Sequence, residues 1–453
     1  MPSSGAEGLE WTVMAKIIEN AVLADFTGVF LDRGYMIIEE GKIDRVDRGP
    51  APDVPGATRI DAEGRLVTPG LVNAHGHLYS SLARGLPLAG FAPRTFREIL
   101  EGLWWKLDRA LDLEAVYLSA LVGGIWHLKR GVTAIFDHHA SPSAIEGSLS
   151  QIKRAVVDEL GMRCDLCYEV TDRGGEAERD AGIAENVRFA KEELVPGFAS
   201  AHMGLHASFT LSDGSLEKAV AAAEPLGLPF HIHLAEGKED PVDALQRYGM
   251  RTAERLDKFG ILTDGTLLIH GIQLSGAELG LLAERPASLI HNPRSNMNNA
   301  VGAAQVVTML ARGIKVGIGT DGFGADILGE LLTARLLAHH ASGDPTALGD
   351  GDLLSILGHN YELAGRFFGL PFGKIQPGYA ADLVIWDYRP PTPLDATNLL
   401  SHLLFAGISE GLSPYTVIVA GELRVTEGKM AGMDEGGILA RAREKAAEMW
   451  EKL

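Results

Sequence analysis

The feature that most constrains this chain is a rhythm. Eight short apolar runs each stop at a His, Asp or Glu: GLVNAHGH, TAIFDHH, DLCYEV, MGLHAS, PFHIHLAE, TLLIHG, SLIHNPRSN and KVGIGTDG. They recur mostly ~20–40 residues apart, the repeat length of a (β/α)8 TIM barrel. Helical stretches such as SLEKAVAAAEPLG and DALQRYGMRTAERLDKFG fill the gaps. Strands alternating with helices predict an α/β fold with a parallel sheet. In such a barrel the polar residues at the C-terminal strand ends carry the chemistry. The first gap is longer and leaves room for an inserted helix around FREILEGLWWKLDRALD.

The chain ends have a different texture. KIIENAVLA, GVFLDRGYMIIEEGKIDRVDRG and ATRIDAEGRLVTPG near the N-terminus read as short strands between turns. KIQPGYAADLVIWDYRP and SPYTVIVAGELRVTEGK repeat that pattern near the C-terminus, before an amphipathic helix, ILARAREKAAEMWEKL, that packs on the main body. The expected division is 1–68 and 374–453 as two β-rich parts around a barrel at 69–373. Hydrophobic residues make up 46% and charged residues 22%, an ordinary globular balance. The excess of 60 Asp+Glu over 41 Lys+Arg argues against nucleic acid or an anionic membrane as partner. No run of ~20 apolar residues is free of charge, so no membrane span is expected. MPSSGAEGLEWTV lacks the basic and apolar regions of a signal peptide and reads as a flexible leader, with Met14 an alternative start. The only cysteines, Cys164 and Cys167, fit a reducing, cytoplasmic setting. Three apart in a strand they point to opposite faces, and two thiols cannot complete a zinc site, so they read as small packed residues.

The strand ends hold a constellation. His75 and His77 are two apart, which puts both rings on one face of a strand, the barrel interior. Two neutral imidazoles on a rigid edge are half a site for zinc or another borderline metal. His233, in HIHLAEG, offers a third nitrogen, while His231 lies one step deeper as a hydrogen-bonded core histidine. Glu236 follows where the strand gives way to its loop, beside a metal-activated water, where a general acid or base belongs. Asp321, in GIGTDG, is either a turn former or an oxygen ligand and proton acceptor. Three histidines and one carboxylate leave a position open for water, and suit Zn2+ or Fe2+ equally. His270 and His206 either point at substrate, His270 to polarise it, or only cap strand ends. HNPRSNMNNAVG holds four Asn, so His291 and Asn296 are candidates for binding a nitrogen heterocycle, or for plain turn chemistry. One of His138 and His139 should face the mouth; His139 and Trp105 are carried as substrate contacts. GFASAHMGLHASF has no lysine to bridge two metals, which favours one metal ion.

These residues resemble the amidohydrolase superfamily, specifically its mononuclear aminohydrolase branch of cytosine, guanine and triazine deaminases. The resemblance runs over nearly the whole chain, through PGLVNAHGH, HLAE, GTDG and PGYAADLVIWD. Within that branch LWWKLDRALD, FDHHASP, HNPRSNMNNAVG and TDGFGADIL look like SsnA-type aminohydrolases. The resemblance implies that the β-rich ends meet as one small β-sandwich beside the barrel. It implies a divalent metal on His75, His77, His233 and Asp321, Glu236 as proton shuttle, and His270 as the group polarising the substrate. The expected activity is hydrolytic removal of an exocyclic amine, as ammonia, from a purine-like or related nitrogen heterocycle by a cytoplasmic homodimer. The alternatives are hydrolysis of a cyclic amide C–N or a C–Cl bond on the same fold, or a non-catalytic purine-binding accessory protein.

Overall fold

The computed structural model describes residues 15–409 and 411–453. The expected leader therefore lies outside the described residues. The first five strands are β1 (Lys16–Ala24), β2 (Phe30–Glu39), β3 (Lys42–Arg48), β4 (Thr58–Asp61) and β5 (Leu66–Pro69). Nine strands follow in the middle of the chain. They are β6 (Leu71–Gly76), β7 (Val132–His139), β8 (Arg163–Tyr168), β9 (Ala199–Ala201), β10 (Met203–Ala207), β11 (Phe230–Leu234), β12 (Leu267–His270), β13 (Ser288–His291) and β14 (Val316–Ile318). The last four are β15 (Leu383–Trp386), β16 (Pro414–Val419), β17 (Glu422–Thr426) and β18 (Lys429–Met430).

All eight punctuated runs are strands, and each pairs in parallel with its neighbour. One sheet has the order β6-β7-β8-β9 and the other β10-β11-β12-β13-β14. Each of these strands is buried on both faces, as helix-covered parallel strands are. The ladders stop short of one continuous sheet, yet isolated parallel bridges, Gly76↔Asp321 and Val170↔Leu205, join the two at both remaining edges. The first of these seams is tightly sealed. Asn360 Nδ2 donates to the carbonyls of Val72 at 2.7 Å and Ile318 at 2.8 Å. Gly319 is required there, because a Cβ would lie 2.6 Å from the His75 carbonyl oxygen.

Strands from both chain ends share one nine-stranded sheet, in which β5 pairs antiparallel with β15. Ile18, Leu23, Met36, Val67, Leu383 and Ile418 form its separate apolar core. The buried Arg163 side chain, at the start of β8, makes a bidentate pair with Asp382 at 2.8 and 2.9 Å and so ties this sheet to the parallel strands. The helix Glu435–Trp450 buries Ala442, Ala446 and Met449. Its Trp450 Nε1 donates to the Leu82 carbonyl at 2.9 Å. Cys164 and Cys167 are buried and unpaired with each other. Among the described residues no helix is long and apolar enough to cross a membrane.

Candidate active site at the strand ends

Four side chains converge where β6, β11 and β14 end. The ligand atoms of His75, His77, His233 and Asp321 all lie within 4.8 Å of one another. Nε2 of His77 is 3.0 Å from Asp321 Oδ1, and Nε2 of His75 is 3.6 Å from the same oxygen. Nε2 of His233 is 3.3 Å from Nε2 of His77. Each ring is aimed by its other nitrogen. His77 Nδ1–H donates to the His138 carbonyl at 2.6 Å, and His233 Nδ1–H to the His206 carbonyl at 2.8 Å. His75 Nδ1 meets His231 Nε2 at 2.8 Å, which gives the core histidine expected from the sequence a positioning task. Asp321 reaches the cluster in the left-handed region, φ +54°, with its backbone N–H donating to the His75 carbonyl at 3.0 Å. Aspartate tolerates that conformation better than most residues.

The cluster is built for a cation. Burial disfavours charge on every ring, lowering His75 to about 3 and His233 well below the ordinary histidine range. For His77 burial acts the same way but is outweighed by Asp321, which raises the ring to about 9. Asp321 in turn is held well below the usual carboxylate range, its burial overcome by His75 and His77. A shared positive charge thus belongs between these four groups. His75 Nε2 is buried, 3.6 Å from the Asp321 carboxylate and without a hydrogen-bond partner among the described residues. Three imidazole nitrogens and one carboxylate, each oriented from behind, fit a borderline divalent metal.

Beside the cluster sit Glu236 and His270. Their closest atoms, Oε2 and Nε2, are 3.3 Å apart, and His270 Nε2 is 3.9 Å from Asp321 Oδ2. Burial raises the Glu236 carboxyl to about 7, with His270 opposing the rise. His270 adopts φ +75°, a strained conformation for a side chain of this size, at the end of β12. One short helix, Pro293–Asn298, orients this machinery. His270 Nδ1–H donates to Asn296 Oδ1 at 2.8 Å, Asn299 Nδ2 donates to Glu236 Oε1 at 3.2 Å, and the Ser295 hydroxyl donates to Asp321 Oδ2. Residues 292, 295, 296 and 299 follow the helical i, i+3, i+4, i+7 stripe, a signal already present in the sequence.

His77, His233, Glu236, His270, Ser295, Asn299 and Asp321 line a cavity of about 70 Å³, which also takes in Trp105 and His206. His139, His291 and Asn296 are not among its lining residues. Neither of the tandem histidines lines the cavity, so the one expected at its mouth is not found there. His138 packs 4.8 Å from the His233 ring centroid, whereas His139 turns to the Ser141 hydroxyl, 2.8 Å from its Nε2. The alternation of β7 sets which of the two faces inward, and its register cannot be read from adjacent histidines alone. Three charged residues of the wall carried no expectation: Asp108, Glu169 and Arg173. Glu169 and Asp108 line the cavity, and Arg173 lies between them, donating to Glu169 Oε1 at 2.7 Å and to Asp108 Oδ2 at 3.2 Å. Burial raises Glu169 to about 7 and Asp108 to about 6, with Arg173 opposing both shifts. Glu169 ends one of the punctuated runs, so its position was open to the same reading as the histidines. Asp108 and Arg173 had no such marker.

The profile of the Amidohydrolase family matches residues 66–424. A 5-methylthioadenosine/S-adenosylhomocysteine deaminase of Desulforudis audaxviator is 32% identical over 97% of this chain and 100% of its own length. A 5'-deoxyadenosine deaminase of Methanothermobacter thermautotrophicus is 32% identical over 92% of this chain and 95% of its own. Among solved structures, an adenosine deaminase from Xanthomonas campestris with bound zinc superposes with a TM-score of 0.82 at 24% identity, covering 96% of this chain and 98% of that one. An atrazine chlorohydrolase from Arthrobacter aurescens complexed with zinc gives 0.80 at 21% identity, covering 95% and 100%.

Proposed function

Because the chain belongs to the amidohydrolase family, we propose that it is a metal-dependent hydrolytic deaminase that removes an exocyclic amine, as ammonia, from a purine-like heterocycle. The observation that carries this is the joining of the His75–His77–His233–Asp321 cluster to the Glu236–His270 pair in one buried cavity. A divalent metal at the cluster, zinc by analogy with the zinc-bound adenosine deaminase neighbour, supplies the positive charge that acidifies water at neutral pH.

The protein's own groups then divide the proton work. Asp321 and Glu236 accept the proton of the attacking water. Glu236, buried and poised near neutrality, passes that proton to the ring nitrogen beside the carbon under attack; the water's second proton, released as the new C–O bond becomes a carbonyl, passes through the same carboxylates to the departing amine. His270, fixed by Asn296, faces the reacting ring and stabilises charge that develops on it. Deep burial excludes bulk water and strengthens each of these interactions. The relatives named as deaminases of adenine nucleosides support an amine on a purine-like ring over the amide or C–Cl alternatives.

The finer architecture belongs to the same proposal. The two parallel sheets, bridged at both edges, read as one (β/α)8 barrel spanning 69–373, with 1–68 and 374–453 forming a small β-sandwich domain. The two unpaired, buried thiols fit a cytoplasmic protein, and a homodimer is the expected assembly, measurable by light scattering. The decisive experiment measures ammonia release by metal-loaded protein across aminopurines, their nucleosides, pterins, pyrimidines and triazines, with Glu236→Gln as control. Release in the wild type alone supports the reading. Chloride or a ring-opened acid as product, or silence across the panel at full metal loading, overturns it.

A further inference from the structure

The cavity wall contains two polar atoms that no described residue satisfies. Trp105 Nε1 can only donate a hydrogen bond, and ionised Asp108 Oδ1 can only accept one; both are buried and without a partner among the described residues. Buried polar groups left unpaired are costly, so an orphan donor beside an orphan acceptor in a cavity wall marks a place that a ligand completes. The two residues share the helix Trp105–Ala110 and are three apart, which makes them neighbours on one helix face. Both line the same cavity as Glu236 and His270.

Neither side chain is free to turn away. The Arg173 guanidinium lies over the Trp105 ring, 4.8 Å from its centroid. The same guanidinium donates to Asp108 through Nη1 at 3.2 Å and Nη2 at 3.3 Å, and both bonds go to Oδ2. Oδ1 is thereby left for another partner. Arg173 is itself held by Glu169 at 2.7 Å. The pair is pre-organised by one cation that touches both members.

A donor beside an acceptor complements a flat ring edge that carries an N–H next to a carbonyl oxygen or ring nitrogen. The amine to be removed must lie at the metal cluster, so this edge is a different one. In a nucleoside the ring nitrogen remote from the amine carries a sugar in place of its hydrogen. A vicinal diol on that sugar offers the competing match. Position decides between them: both residues line the cavity that holds Glu236 and His270, where the reacting ring itself must lie. We propose that Trp105 and Asp108 select a free amino heterocycle through an N–H/acceptor edge, and that the substrate is the free base rather than its nucleoside. This rests on the deaminase reading above and narrows it.

The test compares each amino heterocycle that releases ammonia with its counterpart methylated or ribosylated at the remote N–H, in wild type, Trp105→Phe and Asp108→Asn. Wild type should favour the free base by about a hundredfold or more in kcat/KM, as sites built to pair a substrate N–H do. Trp105→Phe keeps the ring and loses the donor. Both variants should lose about tenfold or more on the free base, mainly through KM, and little on the blocked compound. Better turnover of ribosides than of bases, or an equal loss on every substrate, overturns the proposal. Equilibrium binding of amine-free oxopurines, hypoxanthine and xanthine, with and without the N-methyl group, reads the pair without turnover. Binding weakened by the methyl group in wild type but not in the variants, with no ammonia from any compound, would sustain the recognition pair while the deaminase reading fails. Binding indifferent to both the methyl group and the substitutions would remove the pair whatever the reaction is.

Discussion

Two parts of one cavity wall are held in different ways. On the cluster side each candidate ligand grows from a strand end, and its remote atom is tied to something rigid: the His138 and His206 carbonyls, the His231 ring, the Ser295 hydroxyl. On the Trp105–Asp108 side the groups come from the long first connection and are fixed only by other side chains, through Arg173. The first arrangement sets atoms to fractions of an ångström because parallel ladders leave them little freedom. The second can change its chemistry by changing three side chains, without disturbing a ladder. Placing the reaction on the sheet and selectivity on the connections is how strand-end sites vary their substrates.

The sharpest way to break this division is to remove a ligand. His233→Ala should lose bound metal and, with it, all measurable ammonia release, while the far-ultraviolet circular dichroism stays that of the wild type. Metal content by atomic emission decides it: full metal loading in that variant would take His233 out of the cluster. Glu236→Gln separates holding from transferring. Metal should stay stoichiometric while kcat falls by about 10²–10⁴-fold, the ordinary worth of a positioned acid or base. Near-normal turnover would assign the proton work elsewhere.

How much of this was legible depends on what held each residue. His75, His77, His233, Glu236, His270 and Asp321 all stand where an apolar run stops, and the strand period of two makes those positions readable one by one. Trp105 was visible as an aromatic in the inserted helix, but not as a donor paired with Asp108. Their helical spacing of three is local, but the cation that holds both, Arg173, lies far along the chain, and no local periodicity points to it. His139 reads from the sequence as a substrate contact, yet His138 is the one that packs inward against the His233 ring, because adjacent residues of a strand face opposite ways and register is fixed by neighbouring strands. The Asn-rich segment reads from the sequence either as a ligand surface or as turn chemistry, and Ser295, Asn298 and Asn299 do line the cavity. Its helical stripe turns out to orient His270, Glu236 and Asp321, a distinction that needs the partner positions in space.

A smaller effect tests whether orientation from behind matters as much as ligation. His231→Phe preserves an aromatic ring of similar size but removes the partner of His75 Nδ1. Metal affinity should fall about 10–100-fold, as it does when the hydrogen-bond partner of a ligating histidine is lost. Competition with a chelator of known affinity measures it. An unchanged constant would mean that the strand alone aims His75, and would sharpen the contrast with the Arg173-held wall.

The smallest effect concerns what anchors the orienting helix. Glu330 is almost fully buried and accepts the backbone N–H of Arg294, in the first turn of Pro293–Asn298, at 3.1 Å. Burial raises its carboxyl to about 8, Arg294 opposing, whereas an unfolded glutamate titrates near ~4.3. A folded-state value above the unfolded one means that the protonated group favours the folded chain. Its contribution is complete below the unfolded value and is lost as pH climbs through about 8. Glu330→Gln, neutral throughout, should therefore show a flatter Tm from pH 6 to pH 9 than the wild type, with the gap closing on the acid side. Parallel curves would mean that Glu330 stays ionised beside Arg294. The helix carrying Ser295, Asn296 and Asn299 would then be anchored by an ion pair, the same device that holds the Trp105 wall, and the contrast between the two walls would stop at the strands themselves.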